Sequence, residues 1–306
     1  MDGSILFETF DRNELPNDIN FVLFGVPSEV TSTSPRAGAK GGPAAIRKAF
    51  HYFSLLTEKG TDIFQKKIVD IGNVDVYPTL IEETMGSIED TISLILAANS
   101  TTPAVPIALG GDHFITYPIV RSLLKSTPKF GLIIFDAHVD LYDMWLYKEK
   151  YAHSTVFHRI LELPSIKKND LLFIGTRDID YEEAEFLKSN SIDFIPAYSI
   201  PQENFESLLL EHLEKFHRSH IETLYVSIDI DVLDPSIAPG TGYPIPGGLS
   251  YRQLWHCLQL IAREFKVLGF DVVEVCPPYD PSEITSITAA RIMTEFVGFI
   301  VERMEK

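Results

Sequence analysis

Short apolar runs alternate with longer stretches of helical periodicity from one end of the chain to the other. The runs at 21–26, 68–74, 105–109, 131–135, 171–174, 194–197, 224–228 and 267–275 have strand length and are apolar nearly throughout, as strands buried on both faces are. Between them, 43–50, 81–99, 115–125, 155–163, 181–189, 203–216, 251–265 and 286–304 read as helices. Pro43 suits a first helical turn, where its missing N–H is not needed. Ser154 and Ser250 stand where N-caps are expected. This alternation predicts a three-layer α/β/α fold around a mostly parallel sheet of about eight strands. Residues 1–306 read as one domain, because no Gly/Ser linker, repeat or low-complexity segment divides them.

Polar motifs fall where such a sheet binds ligands, beyond the carboxyl ends of its strands. Gly110-Gly111-Asp112-His113 follows one strand, Asp136-Ala137-His138-Val139-Asp140 the next and Gly175-Thr176-Arg177-Asp178 another. Asp229-Ile230-Asp231 ends a fourth, and Glu274 sits late in the last. If the period of two continues through these motifs, Asp136, His138 and Asp140 share one face, and so do Asp229 and Asp231. Carboxylates crowded there repel one another and protonate unless cations compensate them. His113, Asp136, His138, Asp140, Asp229 and Asp231 are therefore candidate metal ligands. A shell of mostly oxygen with two imidazoles favours Mn²⁺, leaves Fe, Co and Zn open, and disfavours Mg²⁺. Four carboxylates balance two divalent ions, so two Mn²⁺ per chain are expected, with a bridging water activated to hydroxide as nucleophile.

Gly110–His113, Asp136–Asp140 with Tyr142-Asp143, and Ser227 through Pro235 resemble the ureohydrolase family of arginases and agmatinases. The resemblance continues through Ala238-Pro239-Gly240-Thr241-Gly242, Gly247-Gly248-Leu249 and the glycine-rich stretch from Arg36 to Arg47. It covers nearly the whole chain, in order and at family-like spacing. It implies the arginase-like fold, a binuclear manganese site made by the six ligands, with Asp140 also part of the catalytic set, and hydrolysis of a guanidino compound to urea and an amine. It implies a homo-oligomer too, a trimer or hexamer. His153 aligns with the family's general-acid or shuttle histidine, but it is followed by Ser154 where agmatinases have glycine. Glu274 would accept two N–H bonds from the planar guanidinium.

Where arginases of the family place an asparagine that reads the substrate carboxylate, this chain has Tyr142 followed by Asp143. Acids there disfavour a carboxylate and welcome an ammonium, which points to agmatine, converted to putrescine. Asp180, in Arg177-Asp178-Ile179-Asp180 with Glu183 nearby, could serve the amino group of agmatine or of arginine. Arginine, 4-guanidinobutyrate and formimidoylglutamate, the substrates of similar enzymes in the family, are the alternatives. Tyr142, Trp145 and Tyr147 fit the mouth of a pocket and ordinary surface packing equally well. Asp112 is expected to orient the ligands or its own turn, and Asp234, before Pro235, to organise a turn.

Charge and composition narrow the partners. Net charge is −17 at pH 7, which argues against nucleic acid and anionic membranes and is compatible with a small cationic substrate. Residues 1–20 are acidic without an apolar signal core, and no apolar run suggests a membrane span. Two cysteines, Cys257 and Cys276, build no disulfide framework, so a cytoplasmic protein is expected. A binuclear phosphohydrolase would need an anion nest or an arginine cluster beside the metals, and only Arg177 is near. A non-catalytic relic of the fold would be expected to have lost ligands, yet all six positions are intact.

Overall fold

The computed structural model describes residues 7–10, 15–16, 18–63, 66–98, 103–200 and 205–305. Along the chain run β1 (Glu8–Thr9), β2 (Phe21–Val26), α1 (Gly42–Ala49), β3 (Ile68–Asn73), α2 (Ile81–Ala97), β4 (Val105–Gly110), α3 (Thr116–Ser126), β5 (Gly131–Phe135) and α4 (Val156–Leu161). They are followed by β6 (Leu171–Thr176), α5 (Tyr181–Asn190), β7 (Asp193–Pro196), α6 (Phe205–Arg218), β8 (Thr223–Asp229), α7 (Tyr251–Glu264), β9 (Lys266–Val273) and α8 (Ile284–Met304). Every expected strand and helix is present to within a few residues; Asn99, Glu203 and Asn204 lie outside the described residues. The short β1 was not expected: two residues carry no readable alternation.

All strand pairs are parallel, in the order β1-β3-β2-β4-β9-β8-β5-β6-β7. The late strands β8 and β9 are thus inserted between β4 and β5, and four contiguous central strands end at one edge. Both faces are covered. Phe21 and Leu23 of β2 belong to a core that also holds residues of α1, α6, α7 and α8, while Val22, Phe24 and Val26 belong to a second core with residues of α2, α3 and α4. This two-sided burial is why the strands read as continuous apolar runs.

Ser250 caps α7 as expected: its hydroxyl accepts from Gln253 N while Gln253 Oε1 accepts from Ser250 N at 2.8 Å. Ser154 does not cap α4. It lies inside the short 3₁₀ turn His153–Thr155, its hydroxyl buried and without a hydrogen bond. Contrary to the expectation of no span-like run, α8 is long and apolar enough to cross a membrane, with mean hydropathy 1.5 over its best window, but 83% of that window is buried inside the fold. It is the helix against which α1 and α7 pack.

The turn after β4 has no room for a side chain. A Cβ on Gly111 would lie 2.0 Å from Ser28 O, 2.7 Å from Val26 O and 2.8 Å from Ser28 N, all backbone atoms. Gly111→Ala is therefore expected to lower unfolding stability by roughly 3 kcal/mol or more, read from denaturant midpoints. An unchanged midpoint would show that the turn yields.

Candidate metal centre

The four central strands deliver their polar residues through turns, and this differs from the period-of-two expectation. β5 stops at Phe135, so Asp136 to Asp140 are no longer strand. Only Asp229 belongs to β8, and Asp231 lies in the 3₁₀ turn Ile230–Val232. His113 opens another 3₁₀ turn, capped by Asp112, whose carboxylate accepts from Phe114 N at 3.2 Å and from Thr31 Oγ1 at 2.6 Å. Asp112 therefore organises its own turn, and burial, with Glu274 nearby, pushes it up to about 6. Asp140 and Glu274 take left-handed φ values of 47° and 62°, a strained conformation for such residues that surrounding contacts must impose. Glu274 N donates to Gly111 O at 2.9 Å, which ties the end of β9 to the turn after β4.

The six expected ligands converge. His113 Nδ1 lies 3.1 Å from Asp136 Oδ2 and 3.4 Å from both Asp140 Oδ2 and Asp229 Oδ2. His138 Nδ1 lies 3.3 Å from Asp136 Oδ1 and 3.2 Å from Asp231 Oδ2. Three carboxylates are each clamped at one oxygen by a backbone N–H. Asp136 Oδ1 accepts from His138 N (2.7 Å), Asp229 Oδ1 from Asp231 N (2.8 Å) and Asp231 Oδ1 from Ala137 N (3.0 Å). The second oxygen of each is left toward the centre. Asp136 Oδ2 and His113 Nδ1 are buried there without a hydrogen bond.

This donor set fits two cations. Ligand atoms bound at about 2.1 Å around an octahedral ion are about 3.0 Å apart along each edge, close to the observed spacing. His113, Asp136 and Asp140 form one ligand group, and Asp136, His138 and Asp231 form a second that shares Asp136. The electrostatics agree. Burial, with Asp231 and Asp136 close by, drives Asp229 well above the usual carboxylate range. Burial would lower both histidines, but the surrounding acids outweigh it and raise each far above 6.5. Protons thus gather on the imidazoles, which is what a site built for positive charge does when only protons can supply it.

Glu274 and His153 border the centre. Glu274 Oε1 accepts from His113 N at 2.9 Å and lies 3.0 Å from His153 Nδ1, so Oε2 is the oxygen left open for a ligand. A two-oxygen clasp on a guanidinium would have to share Oε1. Thr33, unforeseen because it lies 120 positions away in sequence, meets His153 Nε2 with its hydroxyl (2.7 Å) and its N–H (3.2 Å). A backbone N–H can only donate, so in the neutral ring Nε2 accepts and Nδ1 carries the proton toward Glu274. Although burial opposes the charge, the Glu274 hydrogen bond raises His153 to about 9.

A cavity of about 170 Å³ opens over these groups, small beside drug-sized sites of several hundred Å³. Its outer wall includes Tyr142, Trp145, Asp178, Asp180 and Glu183. Tyr142 OH donates to Asp180 Oδ2, while Asp180 Oδ1 caps α5 through Glu183 N at 3.0 Å. Glu183 is buried against Leu141 N (2.9 Å), and that burial raises it to about 8. Asp143 does not line the cavity; its carboxylate turns to the buried Arg159 at 2.7 Å. The side chain of Tyr147 lies outside the described ones. Asp234 holds a turn, accepting from Ser236 N and Gly247 N at 3.0 and 2.8 Å. Arg177 also faces away from the cavity and donates to the carbonyls of Gly175, Asp231 and Ile245.

Residues 19–298 match the Arginase family. An agmatinase of Pyrococcus horikoshii is 34% identical over 297 residues, 95% of this chain and 97% of that protein. A formimidoylglutamase of Halalkalibacterium halodurans is 32% identical over 280 residues, covering 90% and 86%. Among solved structures, the agmatine ureohydrolase of Thermoplasma volcanium superposes with a TM-score of 0.83 at 28% identity, over 94% of this chain and 92% of that one. With a metal-type donor set at the carboxyl edge of a parallel sheet and family similarity along nearly its whole length, the chain belongs to the arginase family of ureohydrolases, hydrolases of small guanidino compounds.

Proposed function

We propose that this hydrolase releases urea from a guanidino compound whose far end is cationic, with agmatine, yielding putrescine, as the substrate. The character of the outer wall carries this reading. Asp178 and Asp180 line the cavity beside Glu183, which burial keeps protonated near neutral pH, and no lysine or arginine does so among the described residues. Arginine, 4-guanidinobutyrate and formimidoylglutamate each bring a carboxylate, which would meet those acids with no cation to offset it. An ammonium finds compensation there. The two buried cysteines carry no disulfide, in keeping with a reducing, cytoplasmic setting.

His113, Asp136, Asp140 and Asp229 would hold one ion, and Asp136, His138 and Asp231 the other. Carboxylate-rich shells with two imidazoles suit Mn²⁺. Bound divalent ions of this kind activate water as a nucleophile at neutral pH and offset charge that develops on the substrate. The protein's own groups supply orientation and proton handling. Glu274 Oε2 would accept a guanidinium N–H and turn the planar group toward the centre. His153, its protonated Nδ1 resting on Glu274, is placed to hand a proton to the departing amine. Tyr142, by donating to Asp180, fixes that carboxylate in the wall while leaving its charge to face the substrate's tail.

After loading with Mn²⁺, kcat/KM for urea release from agmatine should exceed that for arginine, 4-guanidinobutyrate and formimidoylglutamate by at least roughly a hundredfold. A preference for arginine would remove the agmatine assignment and leave the fold untouched. A second comparison separates ligands from orienting groups. His138→Ala should lose at least one ion per chain by elemental analysis. Glu274→Gln and His153→Ala should keep both ions while turnover falls by roughly 10²–10⁴-fold. Parent-like turnover in either would discard the role given to that residue.

A further inference from the structure

On the side of His113 away from the carboxylates, the core holds a chain of polar groups. His113 Nε2 lies 2.8 Å from Ser227 Oγ, and Ser227 donates to Asp271 Oδ1 at 2.6 Å. Asp271 sits within β9, fully buried between Phe270 and Val272 of the core. Its other oxygen accepts from Tyr225 OH at 2.6 Å and from Thr116 Oγ1 at 2.9 Å. Burial pushes Asp271 above the usual carboxylate range, while nearby His113 and the three hydroxyls pull it back.

A count of protons fixes the direction of every bond. The carboxylate of Asp271 can only accept, so Ser227, Tyr225 and Thr116 each turn their single proton toward it. Ser227 then has only lone pairs to offer His113, and Nε2 must carry the N–H. In the neutral ring Nδ1 is bare, and it is Nδ1 that faces Asp136, Asp140 and Asp229. Were Asp271 absent, Ser227 could donate to Nε2 and leave the proton on Nδ1, where it would have to be displaced before an ion could bind. We propose that Asp271, acting through Ser227, is a positioning residue that holds His113 in its Nδ1-ligating tautomer and so sets the affinity of the one ion His113 binds. This rests on the metal-centre reading of the six ligands. Among the described residues His138 has no such relay: its Nε2 looks toward the exposed Asp178 at 3.8 Å. The relay therefore acts on one ion and not the other.

That selectivity is the test. The apo chain would be titrated with Mn²⁺ against a competing chelator, for the parent, Asp271→Asn, Ser227→Ala and the double variant. The expected result is that one ion weakens by roughly 10–100-fold in each single variant while the other stays within about threefold. The double variant should be no weaker than the worse single one, because both cut the same chain. If Asp271→Asn fails to fold, Ser227→Ala carries the test alone. Two ions at parent affinity, or two ions weakened equally, would overturn the relay. A parent chain that binds no Mn²⁺ would remove the metal centre itself, and the relay with it.

Discussion

The repulsion among Asp136, Asp140, Asp229 and Asp231 is the constraint that the centre of the molecule is arranged to contain. Burial and mutual repulsion at this spacing push Asp229 toward protonation, whereas at Asp136 hydrogen bonds from His113 and His138 outweigh burial and hold the carboxyl below the usual carboxylate range. The fold counters it by clamping. Asp136 and Asp229 each have one oxygen held by a backbone N–H of their own turn, and Asp231 has one held by Ala137 N from the turn after β5, which restrains all three against rotating out of the crowding. What remains free is one oxygen apiece, aimed at a common point. Backbone donors hold the acids in place, and the negative potential of those side chains favours positive charge before any chemistry begins.

Those turns depend in turn on the sheet. β4, β9, β8 and β5 are contiguous, and because every pair is parallel their carboxyl ends share one edge. Insertion of β8 and β9 between β4 and β5 brings Asp229 and Glu274 between residues that are far earlier in the chain. Ala137 N reaching Asp231 Oδ1, and Glu274 N reaching Gly111 O, are hydrogen bonds between those ends. Even the strained φ values of Asp140 and Glu274 become intelligible here, since each residue is held on several sides at once. Arg177 contributes from beneath, binding the carbonyl of Asp231 and so bracing the turn that presents it.

Much of this was legible in the chain, and the failures have definite causes. Strands apolar on both faces announce a covered parallel sheet, and acids placed just past such strands announce the binding edge. The reason offered for their convergence was nevertheless wrong. Pleat alternation ends at Phe135, and only turn geometry brings His138 back toward Asp136. Asp143 looked like part of the pocket because it follows Tyr142, but a buried arginine from α4 draws it outward, and no local pattern encodes that pairing. Asp271 carries no legible signal, because within an apolar run a single acid does not show what it bonds to. Thr33 reaches His153 from a loop after β2, a contact that only the folded chain creates. The acids and histidines past the strand ends named the candidate ligands; the structure shows how each is held.

Specificity and positioning follow from the same electrostatic fact. On the proposed reading, Asp178 and Asp180 in the wall extend the negative field of the centre outward, which would favour a substrate positive at both ends over a zwitterion. The buried acid of β9 serves the same centre from behind. The relay from Asp271 through Ser227 keeps the Nε2 proton of His113 on the far side of the ring and leaves Nδ1 to face Asp136, Asp140 and Asp229. The two nitrogens of one ring are thus given separate tasks, one to hold a proton and the other to meet a cation.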